Sequence, residues 1–218
     1  MQAKHLLITG SSGGGKTTKM HENHLKHKGI SIWVNWEHPK PNVEGIKCYS
    51  MEDMVNVIKE SKDLMDIKIN FITNKPPLEA PQDAIDLGWY IGEYFDSKIP
   101  TQIIVDEAQE ALPDNEKESA QSSGNPIAKG LHQGRDMNIK IVLGTQDPQD
   151  LFYTPIKQIK HLIWCGETKV FHEGFLRYFG MTDLDMPKEQ YEYIVVKPSS
   201  PPKIIYRGTT DSQYAPDK

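Results

Sequence analysis

Cysteine is nearly missing from this sequence: 218 residues carry only Cys48 and Cys165. Standing alone and in no metal-ligand spacing, they exclude a disulfide scaffold or a zinc module, and they read as small core fillers in a reduced environment. Long apolar runs are missing too. None approaches the ~18 residues a membrane-spanning helix needs. The opening MQAKHLLITG passes directly into a short strand, so no signal peptide and no export by that route are expected. An excess of positive charge is also lacking. With 25 basic and 30 acidic residues the formal charge is −5, which excludes coating nucleic acid by bulk attraction. A few lysines presented locally remain compatible with that balance. No internal repeat is present, and the apolar (37%) and charged (25%) fractions are those of an ordinary folded protein. One domain with a sizeable core is expected over residues 1–210, with 211–218 a frayed polar tail.

What the chain does have is alternation. Strand-like apolar runs occur at 5–9, 31–36, 67–73, 102–106, 139–145 and 161–165. Helical periodicity falls between them, at 16–28, 51–65, 83–96, 126–136 and around 172–179. Strands alternating with helices predict a three-layer α/β fold, with a mainly parallel sheet covered on both faces. The segment YEYIVVKPSSPPKIIYRG predicts a C-terminal hairpin at the sheet edge. Residues 113–125, PDNEKESAQSSGN, are polar and read as a mobile loop.

The strongest signal lies near the start. GSSGGGKT, Gly10 to Thr17, follows the first strand and opens the first helix, the placement a phosphate-binding loop requires. Glycines let backbone N–H groups curl around a phosphate, and the helix N-terminus adds partial positive charge. Ser11, Ser12, Gly13, Gly14 and Gly15 form the loop, and Lys16 reaches the β- and γ-phosphates. The Thr17 hydroxyl ligates Mg²⁺, and Thr18 lies near the α-phosphate. These features predict ATP and Mg²⁺ as cofactors and an α/β P-loop NTPase fold.

TQIIVDEAQ, residues 101–109, is a buried strand ending in two acids. Asp106 is expected to hold Mg²⁺ through water, and Glu107 to polarise the water attacking the γ-phosphate. The second acid separates an ATP-hydrolysing machine from a small-molecule kinase or a switch GTPase. Guanine recognition needs Asn-Lys-x-Asp, whereas NKPP at 74–77 has proline where that aspartate belongs. DEAQ superficially resembles the DEAD/DEAH helicases, but those carry two such domains and a Ser-Ala-Thr segment that this chain lacks.

A further strand is expected to lie between the phosphate-loop strand and the Asp106 strand. IKIVLGTQ supplies it, closing in Thr145 and Gln146. A neutral amide at that end can bond both the attacking water and a phosphate oxygen, so Gln146 is the expected γ-phosphate sensor. Arg135, at the end of the preceding helix, could project toward a neighbouring subunit's nucleotide. An arginine supplied in trans raises phosphoryl-transfer rates by ~10³ or more.

The order of phosphate loop, IIVDEAQ and GRDMNIKIVLGTQDPQDL resembles the HerA/FtsK superfamily of DNA-pumping ATPases, over roughly residues 4–207. The compact size, together with KVFHEGFLRYFG and an edge hairpin, is most similar to the genome-packaging ATPases of tailless icosahedral viruses with an internal membrane. This resemblance implies a RecA-like three-layer fold, ATP hydrolysis and a ring homo-oligomer, hexamer or pentamer, on double-stranded DNA. A capsid or vertex protein would be a further partner, in the host cytoplasm or with the virion. Lys16, Thr17, Asp106, Glu107 and Gln146 carry over directly, with Arg135 and Arg177 as competing trans arginines. Asp136, following Arg135, departs from the basic or polar residue usual there. Two relatives of that function stay open: an assembly or secretion ATPase similar to those extruding filamentous phage, and a HerA-like DNA-processing translocase. A P-loop small-molecule kinase is more remote, since Arg177 is the only arginine in the segment where a lid would fall.

Other residues have plainer readings. His21, His24 and His27 recur at three-residue steps and read as a solvated helical face. Trp33 and Trp36 read as strand core. Lys117, inside the 113–125 loop, and Lys129, just beyond it, could touch DNA in a ring's channel, the plainer alternative being a disordered surface loop.

Overall fold

The computed structural model describes residues 4–36, 43–95, 98–113, 124–151, 156–167, 186–197 and 203–210. The helix expected around 172–179, Arg177, Lys117 with most of the 113–125 loop, and the 211–218 tail lie outside the described residues.

Among the described residues, nine strands and five α-helices follow one another. They are β1 (Leu6–Gly10), α1 (Lys16–Lys26), β2 (Gly29–Trp36), β3 (Ile46–Cys48), α2 (Met51–Glu60), β4 (Asp66–Thr73) and α3 (Gln82–Tyr90). Then come β5 (Thr101–Val105), α4 (Ala108–Ala111), α5 (Pro126–Gln133), β6 (Ile139–Thr145), β7 (His161–Cys165), β8 (Glu192–Lys197) and β9 (Lys203–Thr209). The nine strands of the described residues join one sheet, ordered β3-β4-β2-β5-β6-β1-β7-β8-β9. β1 to β7 pair in parallel, and β8 and β9 add an antiparallel hairpin at one edge, as expected.

Strand composition explains the layers. The central strands are apolar almost continuously, because helices cover both faces and neither can be polar. One face buries Leu7, Ile32, Val105, Ile141 and Leu143 against α2, α3 and α5. The other buries Leu6, Ile8, Ile104 and Val142 against Met20 of α1. β6 lies between β1 and β5, as the motif order predicts. The short β3 was not visible in the sequence, since three residues of which two are exposed leave no periodic pattern.

Trp33 is wholly buried, in keeping with the strand-core reading. Both cysteines are buried, and burial pushes the Cys48 thiol up to about 11 and the Cys165 thiol up to about 12. The histidine row on α1 is a correction. His24 is fully buried, its Nδ1 lying 2.8 Å from Ser31 Oγ and its Nε2 2.9 Å from the Glu44 carbonyl. His27 reaches the Pro100 carbonyl at 3.1 Å. The helix packs this side on the sheet, so these rings pair with its polar groups instead of facing solvent. Among the described residues, no helix is long and apolar enough to cross a membrane.

Candidate functional site

α1 and α2 begin differently, and the difference locates the site. α2 starts on Ser50, whose hydroxyl accepts from the Asp53 N–H while Asp53 accepts from the Ser50 N–H. α1 starts on Gly15, at φ 93°, with no side-chain cap. Its first-turn amides therefore keep their hydrogen-bonding capacity for an anion. The loop ahead of it needs glycine for a second reason. A methyl on Gly10 would stand 1.9 Å from the Cys165 carbonyl oxygen, and one on Gly14 2.8 Å from the same atom. β1 delivers this loop to the carboxyl edge of the sheet, hard against the end of β7.

β5 delivers the acids to that same edge. Lys16 Nζ lies 3.2 Å from Asp106 Oδ1 and 3.6 Å from Glu107 Oε1. Lys16 and Asp106 are both buried, which requires the charges to be paired, while the Glu107 side chain stays one-third exposed. Asp106 Oδ1 also accepts the Glu107 N–H at 3.0 Å. Glu107 itself is in the left-handed region, φ 50°. Such a conformation costs on the order of 1–3 kcal/mol and collects at functional positions.

Two residues outside the expected set complete this cluster. Gln109, the second residue of α4, donates from Nε2 to Glu107 Oε2 at 2.9 Å and accepts the Thr145 hydroxyl at 2.7 Å. The amide that links the acid to the end of β6 is thus Gln109, acting through Thr145. Gln146 is exposed beyond that strand end and makes no hydrogen bond to the described residues. Gly144 is the second addition: a methyl there would stand 2.8 Å from Asp106 Oδ1 and 2.3 Å from Met20 Sδ. A glycine inside an apolar strand marks close approach, a signal the sequence carried. The Gln of IIVDEAQ carried none, because an amide entering a helix is ordinary.

Arg135 sits elsewhere. It lies on the 3-10 turn Gly134–Met137 that precedes β6, at the amino edge of the sheet, and donates to Gln158 Oε1 at 3.0 Å. The Gly10–Thr17 loop is at the opposite edge. Lys129 lies 5.5 Å from the centroid of the Trp89 ring.

A phosphate-type loop, an acid pair just past the end of β5 and a strand between them match the P-loop NTPase fold. Comparison of structures agrees. The genome packaging NTPase B204 from Sulfolobus turreted icosahedral virus 2, in complex with AMPPCP, superposes with TM-score 0.64 at 17% identity, covering 93% of this chain and 96% of that one. The B204 DNA-packaging ATPase from Sulfolobus Turreted Icosahedral Virus gives 0.59 at 18%, covering 94% and 98%. EssC (ATPases 2 and 3) from Geobacillus thermodenitrificans gives 0.57 at 10%, covering 96% of this chain and 40% of that one. No protein-family model and no curated protein sequence matches the chain. The resemblance drawn from the three motifs is thus met by the fold.

Proposed function

We propose that this chain is an ATP-hydrolysing motor that assembles into a ring and moves double-stranded DNA, as a viral genome-packaging ATPase. The observation that carries the proposal is the meeting of Lys16 with Asp106 and Glu107 within 3.6 Å, beside an uncapped helix N-terminus. A polyphosphate entering there would take over Lys16 and the helix amides. Two carboxylates, one buried and one partly open, would then be free for different work.

The donors suit Mg²⁺, which prefers oxygen ligands and binds through one or two carboxylates together with substrate phosphates. Asp106 and the Thr17 hydroxyl, on the first turn of α1, would hold the ion. When bound it neutralises charge on the phosphate oxygens. Glu107 would polarise the attacking water, and Gln109 would fix the orientation of that carboxylate. Gln146 remains the proposed γ-phosphate sensor, since its exposed amide is open to a ligand. Arg135 and Arg177 remain the proposed arginines acting on a neighbour.

Support for DNA as the cargo comes from the packaging NTPases, which match this chain over almost their whole length. The assembly or secretion ATPase that the sequence left open remains the rival. Duplex DNA separates the two. Hydrolysis should rise several-fold on adding duplex DNA and vanish in Lys16→Ala; a rate indifferent to DNA would favour the rival, and an active Lys16→Ala would remove the phosphate-loop assignment.

A further inference from the structure

The acids occupy only one flank of the phosphate loop. β1 is bordered by β6, and beyond it β5, on one side, and by β7, β8 and β9 on the other. Lys16, Asp106 and Glu107 cluster toward β5, which orients the reacting end of a bound triphosphate to that flank. The opposite flank is built from the hairpin. Gln190 Nε2 donates to the Gly13 carbonyl at 3.4 Å, and the Gly166 N–H donates to the Glu192 carbonyl at 2.7 Å. Thr210 Oγ1 lies 2.9 Å from where a methyl on Gly15 would stand, and the Thr210 N–H donates to the Tyr191 carbonyl.

Two groups here lack an assigned task. Thr210 is 6% exposed, and its hydroxyl finds no hydrogen-bond partner among the described residues. Tyr191, next to Gln190, leaves 38% of its surface open. Tyr191 stands in the turn just before β8, two residues ahead of Tyr193, which packs on the α1 side. Tyr193 already touches α1, with Lys19 Nζ 3.7 Å from its ring centroid. Because β8 runs antiparallel to β7, Tyr191 lies further toward the carboxyl edge, level with the loop.

We propose that Gln190, Tyr191 and Thr210 form the nucleoside subsite: the base stacks on the Tyr191 ring, the Gln190 amide meets its edge, and the Thr210 hydroxyl bonds the nucleotide above Gly15. This rests on the phosphate-loop reading above and adds the half of the ligand that the loop does not hold. A flat aromatic surface suits a base because every base offers a π-face.

Calorimetric binding of Mg²⁺-ATP and of Mg²⁺-tripolyphosphate, which has no nucleoside, to the full chain tests it. Tyr191→Ala should weaken ATP by about tenfold or more. Gln190→Ala should weaken it by roughly fivefold. Thr210→Val should weaken ATP where Thr210→Ser does not. All should bind tripolyphosphate like the wild type, which also shows that they fold, and Tyr191→Phe should keep both ligands. Undiminished ATP binding by Tyr191→Ala, or an equal loss of tripolyphosphate, would overturn the subsite alone. A wild type that binds neither ligand, or a Lys16→Ala that binds both, would overturn the phosphate-loop reading and the subsite with it.

Discussion

A single methyl group added at Gly144 would meet Asp106 Oδ1 at 2.8 Å and Met20 Sδ at 2.3 Å. Gly144→Ala should therefore push the aspartate off its seat and lower hydrolysis at least tenfold, with a stability cost of about 1–3 kcal/mol. Steady-state kinetics together with urea unfolding would check both parts, and an unimpaired enzyme would show that Asp106 tolerates the shift. Glu107 gives a second residue-level prediction. Glu107→Gln keeps the side chain's shape and its Gln109 contact but removes the charge, so ATP binding should persist while hydrolysis falls by about 100-fold or more. Equal single-turnover rates would move the role of water activation to another group. Both acids were legible in IIVDEAQ. Gly144 was visible only as an oddity, and Gln109 was not visible at all, because its role depends on meeting Thr145 across 36 residues.

At the scale of elements, α1 shows where periodicity stops being informative. Its histidines recur at helical spacing, yet spacing alone does not say whether the stripe meets water or a sheet's polar side chains. His24 is held neutral on both sides. The Glu44 carbonyl can only accept, so Nε2 carries the proton and Nδ1 accepts the Ser31 hydroxyl. His5 likewise uses Nδ1 to accept the Ile141 N–H at 3.0 Å. Burial first, then the Arg135 charge, lowers His5 to about 4, and burial lowers His24 to about 4. The sign follows directly. Below about 6.5 the unfolded chain binds protons that the fold refuses, so stability is full above that pH. It should fall between pH 6.5 and 4, by at most about 1.4 kcal/mol per pH unit for each ring, and level off below. Urea midpoints that stay constant from pH 7 to pH 5 would contradict this.

At the scale of the whole molecule, Arg135 and the phosphate loop occupy opposite edges of the sheet. An arginine so placed is remote from a nucleotide held by that loop, which is compatible with the proposal that it acts on a neighbouring copy. Mixing Arg135→Ala with Lys16→Ala subunits should then restore hydrolysis above that of either alone, since one interface in the mixture pairs an intact arginine with an intact loop. Recovery in the parallel Arg177→Ala mixture, and none for Arg135, would assign the role to Arg177.

The sequence by itself determined the layered α/β fold, the place of β6 between β1 and β5, and the edge hairpin, and it proposed the phosphate loop. The layers, the hairpin and the loop follow from local pattern (alternating apolar runs, a Pro/Ser turn, glycines ahead of a Lys-Thr), and the place of β6 from the order of the motifs. Only the tertiary structure decided that the loop's lysine shares its charge with Asp106 and Glu107, that Thr145 and Gln109 connect that acid to β6, and that the hairpin closes over Gly13 and Gly15. Those contacts join residues tens of positions apart, and no local periodicity encodes them. They arise because seven parallel strands bring their carboxyl ends to one edge.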